Sequence, residues 1–120
     1  MRQTEQVREL YTSFFESDRY RRIRFVLANP EAPEFATLQA ELATPGMPKP
    51  LESELIDLLN FLEFVSGLTR RGLVSRRDID WMFAGFIDRV VSIDFVRAYV
   101  LAHDFDELHD ACRRTERRQK

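Results

Sequence analysis

The sequence predicts an all-α domain, a compact bundle of about five or six helices built on a central helical hairpin, and three observations carry that expectation. Apolar residues recur at steps of three and four through most of the chain, which lines them along one face of a helix. No stretch of useful length shows the every-second-residue alternation of a half-buried strand, and no internal repeat is visible. The strongest breakers, TPGMPKP at 44–50 and Gly72, fall between the periodic segments. At 120 residues, with 44% hydrophobic and 32% charged residues, the composition is that of one globular domain spanning 1–120, and ten phenylalanines supply large apolar areas for a small interior.

Val7, Leu10, Tyr11 and Phe14 place one apolar stripe on a first helix, with Thr4 as its expected N-cap. Ser17 and Asp18 carry short oxygens that compete for backbone N–H groups, so a kink is expected near residue 17 before Tyr20, Ile23 and Leu27 continue a stripe. Asn29-Pro30 reads as an N-cap followed by proline at the first helical position, opening a shorter helix lined by Phe35, Leu38 and Leu42. Three prolines and a glycine in the seven residues 44–50 cannot continue that helix and form an internal linker.

The central hairpin is expected at about 51–71 and 76–91. Leu51, Leu55, Leu58, Leu62 and Val65 form one stripe and Phe61, Phe64 and Leu68 a second beside it, so this helix is apolar over most of its circumference and belongs in the centre. Arg70 and Arg71 complement the helix C-terminal dipole, and Gly72 supplies a left-handed stop. Ser75 caps the next helix, with Asp78 at the capping-box position. Ile79, Phe83, Phe86, Val90 and Ile93 line one face of that helix. Gly85 lowers the local helix preference by about 1 kcal/mol relative to alanine, and Ser92 and Asp94 can restart the chain, so a bend is expected. A further break falls around Ala102 to Asp104, with Asp104 capping a last helix whose Phe105, Leu108 and Cys112 face inward. RRTERRQK, residues 113–120, is a basic tail expected to fray.

A net charge of −2 offers no overall basic field to attract nucleic acid or an anionic membrane. The single cysteine, Cys112, excludes an intrachain disulfide and a cysteine-based zinc site, and fits a reducing, cytoplasmic setting. MRQTEQVREL has no apolar signal-peptide core, and the longest uninterrupted apolar run, WMFAGFI at 81–87, is too short to span a bilayer. No glycine-rich phosphate loop or nucleophile elbow is present, and no cofactor is expected.

LNFLEFVSGLTRRGLV, residues 59–74, carries Asn and Glu on an apolar helix followed by an Arg-Gly-Leu turn. It resembles the central motif of an uncharacterised family of small bacterial all-helical domains, whose members often follow an N-terminal membrane anchor. The resemblance extends through Arg97 to the segment Phe105–Leu108, whereas residues 1–50 match only in general helical character. It implies an all-helical fold and assigns no catalytic residue.

Glu63 shares a helical face with Ile56, Asn60 and Gly67. A carboxylate there must be solvated, paired or protonated, because an unpaired buried charge costs several kcal/mol. Asn60 and Glu63 are therefore read as structural polar residues, with Glu63 bonding an arginine or a helix N-terminus; general acid–base work is the competing reading. Arg97 and His103 enclose five residues, and this Arg-x5-His spacing resembles the motif of HEPN ribonucleases, small helical proteins that dimerise around RNA. The resemblance implies metal-independent RNA cleavage, with Arg97 stabilising phosphate charge and His103 moving a proton. Ala98 departs from the polar residue those enzymes usually carry there.

Asp106, His109, Asp110 and Cys112 lack a second half-site on another helix, so no metal is expected. Two basic clusters stand out: Arg70, Arg71, Arg76 and Arg77 around the hairpin, and Arg113, Arg114, Arg117, Arg118 and Lys120 in the tail. With Trp81, an aromatic of the kind favoured at binding hot spots, the hairpin arginines are the expected partner-binding residues. The sequence thus points to a protein-interaction or regulatory helical module rather than an enzyme, binding a protein partner or a second copy of itself, with no membrane. RNA recognition and ribonuclease chemistry at Arg97 and His103 form the alternative.

Overall fold

A computed structural model of the chain describes residues 2–79, 83 and 85–119, all of whose regular structure is helical. Among the described residues there are eight α-helices rather than five or six: α1 Arg2–Tyr11, α2 Arg21–Ala28, α3 Pro33–Ala43, α4 Pro50–Arg70, α5 Arg76–Ile79, α6 Gly85–Val91, α7 Asp94–Ala102 and α8 Asp106–Gln119. No helix among the described residues is long and apolar enough to cross a membrane.

The 21-residue α4 organises the molecule. Leu55, Leu58, Leu59, Leu62 and Val65 are all fully buried, and α2, α3, α5 and α8 pack around them. α8 closes the other side by packing on α4, α6 and α7. Leu108, Ala111 and Cys112 are buried along its inner face. Burial of this kind contributes roughly 1.5–3 kcal/mol per large side chain, so α4 alone accounts for a large part of the gross hydrophobic stabilisation.

α1 extends from Arg2, which leaves Thr4 inside the helix rather than at its cap. It runs into a π-helical turn, Thr12–Glu16, closed by the Ser17 N–H bonding the Thr12 carbonyl at 3.1 Å. The extra residue in that turn carries Phe14 into the core, ringed by Phe15, Tyr20, Phe61, Phe83 and Phe86 with centroids 4.7–5.6 Å away. Ser17 is extended, so the chain breaks there before α2 begins. Arg24 of α2 lies over the rings of both Phe14 and Phe15 at 5.3 Å, a cation–π contact that ties α2 to the turn.

Asn29 ends α2 rather than opening α3, because its side-chain amide donates to the Phe25 carbonyl at 2.7 Å. The first-position proline of α3 is therefore Pro33, not Pro30. Pro50 likewise belongs to α4 as its first residue, which shortens the linker to 44–49. Within the second arm of the hairpin, 76–91, the described residues are helical in two stretches. α5 ends at Ile79 and α6 starts at Gly85; α6 in turn stops at Val91, where the Ser92 hydroxyl donates to the Asp88 carbonyl at 2.6 Å. α8 runs to Gln119, with Thr115 buried in line with Ala111 and Cys112.

Gly72 ends α4 with φ +72°. Its N–H bonds the Thr69 carbonyl and the Leu73 N–H the Leu68 carbonyl, both at 3.0 Å, the paired hydrogen bonds of a Schellman motif. A Cβ at Gly72 would meet nothing within 4 Å, so the cost of a side chain there is purely that of the left-handed backbone. Gly72→Ala is expected to lower the unfolding free energy by about 1–2 kcal/mol in urea titration. Gly85→Ala, with an ordinary φ and open space, should raise it by about 0.5 kcal/mol. Equal effects at the two glycines would refute the Schellman account.

Candidate functional site

A helix begins with N–H groups that have no carbonyl partner inside it, and α4 and α8, which each begin on a residue unable to accept for them, take their acceptor from a neighbouring helix. α4 follows Lys49, whose ammonium only donates. Glu41 of α3 supplies the acceptor, taking the Leu51 and Glu52 N–H groups at 3.0 Å each, while Glu52 turns back to take the Lys49 N–H at 3.2 Å. At α8 the turn starts on Phe105, whose carbonyl takes the His109 N–H at 3.0 Å. Glu63, reaching across from α4, accepts the Glu107 N–H at 2.7 Å and the Leu108 N–H at 3.0 Å. Asp104, the expected cap of this helix, is exposed instead. Each carboxylate sits at the positive end of a helix dipole and makes charge-assisted bonds, so Glu41 and Glu63 act as caps donated by a neighbouring helix. Asn60, one turn before Glu63, faces solvent.

The Glu63 cap positions Glu107, whose side chain pairs with Arg70 at the end of α4. The two form one edge of an open cleft of about 320 Å³ between α4, α5, α6 and α8. Ile79, Ile87 and Ala111, all buried, make its floor. Ser66, Thr69 and Arg70 line the α4 wall, Arg76 stands on α5, and Glu107, Asp110 and Arg114 follow one ridge of α8. Asp110 pairs with Arg113 at 3.0 Å, and Arg114 lies 3.9 Å from Asp88.

The cleft therefore unites residues from the two basic clusters that are far apart in the chain. Arg70 and Arg76 come from the hairpin and Arg114 from the tail. Of the other hairpin arginines, Arg71 turns back to its own helix, donating to the Gly67 carbonyl at 3.2 Å, and Arg77 is exposed. Trp81 and Lys120 lie outside the described residues. Glu107 and Asp110 complete the cleft without any signal in the sequence, because Glu107 stands 37 residues from its partner Arg70.

Arg97 and His103 are not brought together. Arg97 reaches toward the start of α7, donating to the Val91 carbonyl at 3.2 Å and to Asp94 at 2.8 Å. His103 stands at the other end of α7, stacked on Tyr99 at 4.1 Å, with Nδ1 donating to the Tyr99 carbonyl at 2.8 Å. Tyr99 in turn donates its hydroxyl to Glu52 at 3.4 Å. Burial pushes the Tyr99 phenol up, and the Glu52 carboxylate adds to it. His109 closes the end of α7 by donating Nε2–H to the Val100 and His103 carbonyls at 3.0 and 3.2 Å. Among the described residues no group of three or more His, Cys, Asp or Glu side chains is placed to hold a metal ion. Cys112 is fully buried and burial pushes its thiol up against the opposing pull of Arg97, which leaves it protonated and inert near neutrality.

A second concavity, of about 300 Å³, lies between α1 and α4 and is lined by Leu10, Phe64, Leu68, Leu73 and Val74. Phe64 and Leu73 are each about half exposed there. No family model, curated protein or solved structure matches this chain.

Proposed function

We propose that this chain is a helical protein-interaction module whose recognition surface is the charged cleft between the hairpin and α8. The observation that carries the reading is the convergence of Arg70, Arg76 and Arg114, from three different helices, on one open cleft with an apolar floor. Open, apolar-floored concavities ringed by a few oriented polar groups are where proteins place binding sites, and arginine is favoured in such positions. The walls are held in place by elements that do not depend on a partner: Glu63 fixes the start of α8, and the Gly72 turn fixes the end of α4. A site assembled in advance loses little affinity to ordering on binding.

The test reverses charge at two exposed positions. Wild-type protein and the Arg76→Glu/Arg114→Glu variant are used as bait in cell extract, with circular dichroism confirming that both are folded. The wild type is expected to recover a stoichiometric protein that the variant loses, an affinity drop of at least tenfold, or about 1.4 kcal/mol. Equal recovery by both baits would remove the cleft from the function.

A further inference from the structure

Apart from the charged cleft, we infer that α1 is a hinged cover, held at the π-helical turn, whose opening bares the apolar groove at the end of α4. The inference begins with burial. Every other helix buries at least one side chain, whereas the α1 residues whose burial is described, Glu5 and 7–11, include no buried one. Val7 and Leu10 are only partly buried against the core, and Tyr11 is 40% exposed. Packing is what sustains a helix of this length, because ten residues on their own are only marginally helical in water. Among the described helices α1 is therefore the one the fold holds least firmly.

The hold becomes firm again within one turn. Phe14, in the π-helical turn Thr12–Glu16, has no exposed surface and packs on the rings of Phe61, Phe83 and Phe86. The Ser17 N–H closes the turn on the Thr12 carbonyl, and the Ser17 hydroxyl donates to the Ser13 carbonyl at 2.6 Å. Single π-helical turns of this kind recur at functional sites. The boundary between a loosely held arm and its anchor thus falls between Tyr11 and Phe14, which makes the turn the hinge.

What α1 covers is apolar. Leu10 and Ser13 face Phe64 and Leu68 of α4, and Leu73 and Val74 beyond it, across a concavity of about 300 Å³. Side chains separated by open space forfeit part of their mutual attraction, so this gap weakens the closed position. Val74 is only 2% exposed there, while Phe64 and Leu73 are about half exposed. Opening adds Leu68 and Val74 to Phe64 and Leu73 as one apolar face, and closing shields that face from water.

The test reads three places in the full chain. Amide hydrogen exchange in α1 is expected to run about a hundredfold or more faster than at Leu58 and Leu59 of α4, with the Ser17 amide staying at the level of α2. In a Val74→Cys variant, iodoacetamide is expected to alkylate position 74 about a hundredfold or more faster than Cys112, which is fully buried and reads global opening in the same molecule. Leu68→Cys is the second reporter of the same opening, and circular dichroism checks that each variant keeps its helical signal. Adding Leu10→Ala, which removes contact across the groove, should raise α1 exchange and alkylation at position 74 together, each about tenfold, because one opening exposes both.

Exchange of α1 at the rate of α4 would overturn the inference. So would fast α1 exchange with position 74 as protected as Cys112, the result expected of a helix end that frays without uncovering anything. Alkylation at position 74 that Leu10→Ala leaves unchanged would show that the groove opens without α1, and loss of Ser17 protection alongside α1 would remove the hinge from the π-helical turn.

Discussion

Phe14→Ala is expected to lower the unfolding free energy by about 3–5 kcal/mol. Phe14 has no exposed surface, and five aromatic rings from four separate stretches of chain surround it. Its removal leaves a cavity between the π-helical turn, α4 and α6. The neighbouring rings are anchored on those elements and collapse into the space only in part. Tyr20, Phe61, Phe83 and Phe86 also lose ring contacts with a common partner. Phe25→Ala is the control: Phe25 is half exposed on α2, and its loss should change stability by no more than about 0.5 kcal/mol. Urea titration followed by circular dichroism measures both. A Phe14→Ala loss under about 1 kcal/mol would mean that the aromatic cluster does not hold the π-helical turn in the core.

Glu63→Ala is expected to cost about 2–3 kcal/mol, because it strips the acceptor from two N–H groups at the start of α8 and leaves them facing protein. Glu63→Gln keeps an oxygen of the same shape and removes only the charge at the helix dipole, so a loss of about 1 kcal/mol is expected. The local readout is amide hydrogen exchange. Glu107 and Leu108 should lose protection in the alanine variant while Leu58 and Leu59, deep in α4, keep theirs relative to global stability. Unchanged protection at Glu107 and Leu108 would rule out the cap. The Glu63→Ala variant should also bind the partner of the cleft more weakly, since Glu107 and the α8 ridge are positioned by this cap.

Much of the fold was legible from spacing. The stripe from Leu51 to Val65 announces a helix buried on most sides, and the proline-rich stretch before it marks the turn that leads in. Gly72 after two arginines reads as a stop because only a residue without a Cβ accepts the required φ at little cost. Helix number and several boundaries were less legible. The hydrophobic period runs on through Ile93 and Phe95, whereas a local hydrogen bond, from the Ser92 hydroxyl to the Asp88 carbonyl, marks where α6 stops. Asn29 shows the same ambiguity, for its amide serves equally well to begin one helix or to end another.

The candidate site divides in the same way. The arginines of the hairpin and the tail are conspicuous in the sequence, and the odd position of Glu63 in an apolar helix marks it as a residue needing a partner. Neither observation says which partner. Glu63 meets backbone groups 44 and 45 residues away, and Arg70 meets Glu107 at a separation of 37.

By itself, then, the sequence determined the helical class, the burial of α4, the seam before it and the left-handed stop after it, since periodicity and backbone sterics act over a few residues. Only the tertiary structure decided that Glu41 and Glu63 cap other helices, that Arg97 and His103 stand apart, and that Arg70, Arg76 and Arg114 share a cleft. Those outcomes depend on how whole helices pack, and a side chain's partner across such a contact leaves no trace in the residues beside it.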